Sequence, residues 1–207
     1  MRHEVGLHGI RLAVVAFALL TLAMLPLQGC AGAPPRSELY YACAPGNWWL
    51  FQGSGEGTQY TIEIRLEHAE GGAPDVLDGK VTGSLGTFTF SEQGFLLRTG
   101  PEFLQIILPS EASIATPADN DPYLPVPLQV GVQYGTDLAG VVGPDSLWVL
   151  RQVKAATPWG EVDALEMADN RDPAQADYLI TFAPYLGPVE IDIADTPPLT
   201  LKNAGVK

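Results

Sequence analysis

Apolar and polar residues alternate regularly in short segments that are bounded by closely spaced glycines and prolines. This pattern restricts the fold of the chain more than any other feature. Within residues 60–68, apolar and polar side chains alternate: Tyr60, Ile62, Ile64 and Leu66 with Thr61, Glu63, Arg65 and Glu67. This pattern is typical of a strand with one wet face. Glycine or proline then interrupts the chain every few residues as far as Gly100-Pro101. Segments this short leave no room for crossover helices, so the sheet should be antiparallel.

Further candidate strands extend this pattern along the chain. They cover residues 76–82, 87–91, 95–99, 102–108, 146–154, 159–168, 178–184, 189–194 and 199–202. Residues 164–167 would also suit a helix, but Gly160 and the neighbouring strands favour a strand. One helical turn is predicted for residues 172–177. The sequence therefore predicts a mainly β protein with a single antiparallel, strongly curved sheet, as a half-barrel, a barrel or a sandwich, with little helix.

Two segments, residues 40–51 and 123–134, share an order of aromatic, proline, glycine and aromatic residues. The order predicts a turn that leads into a half-buried strand. An internal duplication and two unrelated turns explain the likeness equally well. Between them, the proline-rich segment 109–127 is either functional or a seam between two halves. Its Asp119 and Asp121 are weak candidates for calcium ligands, because the glycine and glutamate of an EF-hand loop are missing, and a solvated turn is favoured.

The N-terminal region has the layout of an export signal. Residues 1–11 form a short basic segment that contains Arg2 and Arg11. An apolar run follows at residues 12–25, and the sequence Leu27-Gln28-Gly29-Cys30 comes after Pro26. This tetrapeptide resembles the lipobox of bacterial lipoproteins. The resemblance implies that residues 1–29 are a cleaved signal peptide and that Cys30 carries a diacylglyceryl thioether and a further acyl chain such as palmitate. The alternatives are an uncut membrane anchor and cleavage without lipidation.

The same resemblance implies a location. The residue after Cys30 is Ala31 rather than aspartate, which implies sorting to the outer membrane if the source is a diderm bacterium. Residues 30–39 would form a lipidated tether, and residues 40–207 an antiparallel β domain. Fully extended, this tether reaches roughly 30 Å, so the domain should lie close to the membrane.

The body of the chain has a second resemblance. Its motifs are Pro45-Gly46-Asn47-Trp48, Pro127-Leu128-Gln129-Val130-Gly131, Thr157-Pro158-Trp159-Gly160-Glu161-Val162 and the segment 182–189. Together they are similar to uncharacterised β-rich bacterial envelope lipoproteins, although Pro184-Tyr185-Leu186-Gly187 lacks one glycine of that pattern and Pro188 replaces its leucine. The resemblance implies a half-barrel-like sheet akin to that of outer-membrane lipoprotein carriers, and no established catalytic residues.

The net charge and the motifs of the sequence exclude several classes of function. A formal net charge of −13 would repel nucleic acid. His68 is the only histidine after Cys30, so a histidine triad or a multi-histidine metal site would have to include it, and a strand-end histidine is favoured. No nucleophile elbow, zinc-spaced cysteine pair or phosphate-binding glycine loop occurs. We therefore expect no cofactor and no catalytic residues, although Glu161, Asp163 and Glu166 could pair as acid and base.

Two function classes remain. The first is a non-catalytic module, held at the membrane by its lipid anchor, that binds an apolar ligand or another envelope protein on a concave aromatic face. The candidate residues are Trp48, Trp49, Phe51, Trp148 and Tyr178, together with Phe95 and Phe103. The alternative for these residues is an ordinary core. The second class is a carboxylate-based, calcium-dependent envelope hydrolase.

Cysteine content adds one expectation. Once Cys30 is alkylated, Cys43 has no partner in its own chain. A buried apolar position is favoured over a thiol that bridges two molecules.

Overall fold

The described chain is built almost entirely of β-strands. The computed structural model describes residues 33–55, 58–71, 74–85, 88–107, 123–135, 144, 146–194 and 196–207. In this part the strands are β1 Trp48–Gly55, β2 Thr58–His68, β3 Val76–Leu85, β4 Phe88–Thr99, β5 Phe103–Ile107, β6 Tyr123–Pro125, β7 Gln133–Gly135, β8 Ser146–Thr157, β9 Gly160–Ala168, β10 Tyr178–Ala183, β11 Gly187–Ile193 and β12 Leu199–Gly205. The helical content of these residues is a short 3-10 helix, Pro173–Gln175.

All twelve strands belong to one antiparallel sheet. Its order is β6-β5-β4-β3-β2-β1-β12-β11-β10-β9-β8-β7, so two six-stranded meanders join through the pairing of β1 with β12. The edge strands β6 and β7 approach each other without forming a ladder. The sheet is therefore a nearly closed barrel, which confirms the predicted curved antiparallel architecture.

The predicted strands agree with the structure except around Gly94. Residues 160–168 form a strand, as predicted, and the expected helical turn is the 3-10 helix, in which the Asp172 side chain accepts a hydrogen bond from the Ala174 backbone N–H at 3.1 Å. The prediction of separate strands at 87–91 and 95–99 is wrong, because both belong to β4. Gly79 pairs with Phe95 and Lys80 pairs with Gln93, so Gly94 is the extra residue of a β-bulge rather than a break.

The two aromatic, proline and glycine segments contain turns of the same form. In each, a four-residue turn closes with a hydrogen bond, at 3.1 Å from Asn47 N–H to the Ala44 carbonyl and at 3.3 Å from Val132 N–H to the Gln129 carbonyl. Gly46 and Gly131 both have a φ of 84°, which favours glycine. The first turn is hydrogen-bonded to Leu66 of β2, and the second turn is hydrogen-bonded to Val149 of β8. The two meanders therefore begin with equivalent turns.

One end of the barrel is closed by the chain itself. Residues 40–47 lie across it, next to the turns at residues 129–132 and 184–186; this is the closed end. Their buried side chains Tyr41, Ala42 and Cys43 join one continuous core with inward-facing residues of the strands. The opposite end, where β1 leads to β2 and β3 leads to β4, is called the open end.

Two tyrosine hydroxyls bond to β6 and to the connection between β6 and β7 at the closed end. The Tyr41 hydroxyl donates a hydrogen bond of 2.5 Å to the Pro125 carbonyl on β6, the edge strand that forms no ladder with β7. The Tyr40 hydroxyl accepts one of 3.3 Å from the Leu128 N–H. These bonds satisfy one backbone carbonyl of β6 and one backbone N–H of the connection that follows it.

Candidate functional site

The predicted aromatic face is divided between the two sides of the sheet. Trp49 and Phe51 point inward and are buried, with 3% and 0% of their surface exposed. Trp48 is their neighbour on β1 and lies on the outer face, where the Arg65 guanidinium sits 5.8 Å from its ring centroid. Successive residues of a strand face opposite ways, so these three side chains do not form one binding surface.

Trp148 also lies on the outer face, between the buried Leu147 and Val149. The Arg171 guanidinium is 5.5 Å from its ring centroid, and Arg151 makes two hydrogen bonds with Glu166 beside it, at 2.8 and 3.0 Å. These side chains line a shallow cavity of about 270 Å³. Of the remaining aromatics, Tyr178 and Phe103 are half-buried, and nothing is described of the Phe95 side chain.

Toward the open end, several apolar side chains on the inner face are only half-buried, although Leu199 and Met167 beside them are buried. Ile64 and Ile62 pair with Trp49 and Phe51 and therefore share their inner face. Along β2, Leu66 is 1% exposed, whereas Ile64, Ile62 and Tyr60 toward the open end are partly exposed. Further along the sheet, on β10 and β11, Ile180 and Ile191 are also partly exposed, and they pair with each other.

These five residues form the candidate site and are called the open-end apolar set: Tyr60, Ile62, Ile64, Ile180 and Ile191. Sequence reasoning identified the shared face of the first three through their alternation, but not their half-exposure. Nothing in the local sequence indicates where a barrel ends, because that depends on pairing between distant strands. Ile180 and Ile191 gave no separate signal.

The closed end contains three groups whose ionisation is suppressed. Burial raises the pKa of the Cys43 thiol to about 12. Burial also raises the pKa of the Tyr41 and Tyr40 hydroxyls, and the neighbouring tyrosines add to the effect. The Cys43 thiol donates to the Tyr41 carbonyl at 3.2 Å and is 6% exposed, as expected for a buried apolar position. A neutral, inert thiol is unsuited to nucleophilic catalysis.

The remaining predicted residues lie outside the described ranges or at the surface of the barrel. Cys30, Asp119 and Asp121 lie outside the described residues. Within the described ranges, no group of three or more His, Cys, Asp or Glu side chains could hold a metal ion. Glu166 and Asp163 pair instead with Arg151 and Lys154, the latter at 2.5 Å. His68 is exposed at the end of β2.

The described part of the chain contains no helix with the length and apolar character needed to cross a bilayer.

Comparison with known proteins gives two distant structural similarities. No family model matches the sequence, and no curated protein matches it. A Bacteroides fragilis protein, provisionally described as exported and with a YmcC-like fold, is 13% identical, with a TM-score of 0.42 over 81% of this chain and 99% of that chain. A Parabacteroides distasonis protein, provisionally described as a lipoprotein, is 10% identical, with a TM-score of 0.42 over 82% of this chain and 100% of that one.

Proposed function

We propose that this protein is a lipid-anchored component of a bacterial cell envelope that binds an apolar ligand at the open end of its barrel. The half-exposure of the open-end apolar set is the observation that carries the proposal. A curved sheet that leaves such a surface in water loses the free energy of burying it, and an apolar ligand would recover that free energy.

The site revises the aromatic face expected from the sequence. Trp49 and Phe51 form the floor of the barrel interior rather than a binding surface, because they are buried. Tyr178 lies at the start of β10, at the rim of the open end. It is two residues before Ile180, so its side chain also faces inward. Trp48 and Trp148 are on the outer wall, where arginines cover them. Ligand contacts are therefore assigned to the open-end apolar set and Tyr178.

The anchor part of the proposal is supported by the sequence Leu27-Gln28-Gly29-Cys30 and its flanks. Cys30 would carry the diacylglyceryl group and, on its amino group, an acyl chain such as palmitate. Two or three chains hold a protein at a membrane essentially permanently, at about 0.8 kcal/mol per buried methylene. Placement in the outer membrane follows from Ala31 if the source is a diderm bacterium.

Mass spectrometry of the protein extracted gently from its native envelope tests the binding function. The expected spectrum contains the lipidated chain and a second species with a non-covalent apolar molecule, which denaturation removes. Replacement of both Ile62 and Ile180 by glutamine should remove the second species and leave the covalent lipid mass unchanged. A wild-type spectrum with the lipidated chain alone, before and after incubation with envelope lipids, would overturn the proposal.

A further inference from the structure

Three apolar side chains are exposed at the closed end of the barrel. Val130 is 49% exposed, Val132 is 36% exposed and Tyr185 is 41% exposed. Among the side chains whose exposure the structure describes, they are three of four large hydrophobic residues with high exposure; the fourth is Tyr123, at 57% on the edge strand β6. We propose that Val130, Val132 and Tyr185 form a surface that contacts the lipid bilayer. This surface is called the membrane patch.

The members of the membrane patch lie close together around Tyr40. The Tyr185 ring is 5.6 Å from the Tyr40 ring, and the Tyr185 N–H donates to the Tyr40 carbonyl at 2.8 Å. On its other side, the Tyr40 hydroxyl accepts from Leu128 N–H, two residues before Val130. One tyrosine side chain therefore separates Tyr185 from the turn that carries both valines.

The path of the N-terminal segment identifies the bilayer as the occupant. Ser37 is buried, and its N–H donates a hydrogen bond of 2.7 Å to the Tyr185 carbonyl. The proposal rests on the lipidation of Cys30 put forward above. From Cys30 to Ser37 an extended chain reaches roughly 25 Å at most, so the membrane surface must lie within that distance of Tyr185.

The chemistry of the patch suits a membrane interface. Tyrosine favours the headgroup level, where its ring is in an apolar layer and its hydroxyl stays wet. Valines at the tip of a turn gain from insertion among acyl chains. Nearby, Arg36 and the Lys207 ammonium beside Gly46 have no ion-pair partner among the described residues, and both can meet lipid phosphates. Glu38 is the acidic residue next to Arg36.

Site-specific fluorescence in vesicles tests the membrane patch on the full, lipidated chain. Cys43 is buried and Cys30 would be alkylated, so a cysteine introduced at Val130, Val132 or Tyr123 would be the reactive thiol for an environment-sensitive dye. Tyr123→Cys is the matched control, since Tyr123 is the most exposed of these side chains and lies on β6 on the open-end side of Pro125, the residue that contacts Tyr41. The vesicles contain phosphatidylethanolamine and phosphatidylglycerol, with a nitroxide quencher on part of the lipid.

The expected result is that dyes at positions 130 and 132 shift to the blue and are quenched several-fold more strongly than the dye at position 123. Equal quenching at all three positions, in a chain that floats with the vesicles and has the mass of a lipidated protein, would overturn the membrane patch alone. A chain that neither floats nor has the lipid mass would overturn both the patch and the anchor on which it rests.

Discussion

Replacement of Phe51 by alanine should destabilise the fold far more than replacement of its surface-facing neighbour Trp48. Phe51 is completely buried on β1, the strand that joins the two meanders through β2 and β12. Removal of such a ring costs about 3–5 kcal/mol, from lost transfer free energy and the cavity left behind. This is a large part of the roughly 5–15 kcal/mol that stabilises a typical domain.

The matched change Trp48→Ala should cost about 1–2 kcal/mol. Its ring is half-buried and packs over Gly205, so part of the apolar burial is lost, together with a cation–π contact to Arg65 worth about 0.5–1 kcal/mol. Urea unfolding, followed by circular dichroism so that the loss of a tryptophan does not change the signal, gives both free energies. A cost below about 1 kcal/mol for Phe51→Ala, or equal costs for the two variants, would refute the assignment of Phe51 to the core.

Three further predictions concern the cysteines and the closed end. A pKa of about 12 leaves roughly one Cys43 thiol in 10⁴ ionised at about pH 8, so a thiol reagent should label it only after unfolding; rapid labelling, or a dimer on a non-reducing gel that Cys43→Ser abolishes, would contradict its burial. Because burial raises the pKa of Tyr41 and Cys43, their contribution to stability is complete below their ordinary values of 10.0 and 9.0 and is lost as the pH rises toward the folded-state values. The free energy of unfolding, measured with urea, should fall with rising alkaline pH by up to about 1.4 kcal/mol per pH unit for each group, and less steeply in Tyr41→Phe; equal slopes would be evidence against this effect. Finally, Cys30→Ser should move the protein from the detergent phase to the aqueous phase, whereas an uncut N-terminal anchor would keep it in the detergent phase.

Much of the fold could be predicted from local pattern. The alternation from Tyr60 to Leu66 identified β2 and its inner face, and the absence of room for crossovers identified the antiparallel sheet. Gly94 misled the prediction, because a glycine in a strand can mark a bulge as well as a break. The join of β1 to β12 could not be predicted, since it pairs residues about 150 positions apart and no local signal specifies such a partner.

The candidate site was harder to predict than the fold. A dense aromatic cluster suggested one face that includes both Trp48 and Trp49, yet the two-residue period of a strand already separates neighbours. Which face became the core depended on the closure of the barrel. The half-exposure of Ile62 and Ile180 depends on how distant strands pack against them, which the local sequence of β2 or β10 does not specify.

Titration with a fluorescent fatty acid tests the proposed function most directly. The wild-type protein should bind it saturably, and Ile62→Gln should weaken the affinity by about tenfold, equivalent to about 1.4 kcal/mol. Leu50→Gln is the matched control, because Leu50 is also half-buried but lies on the outer face of β1, and its affinity should stay within about twofold of wild type. Absence of saturable binding to the wild-type protein, or equal losses in the two variants, would contradict an apolar binding site at the open end.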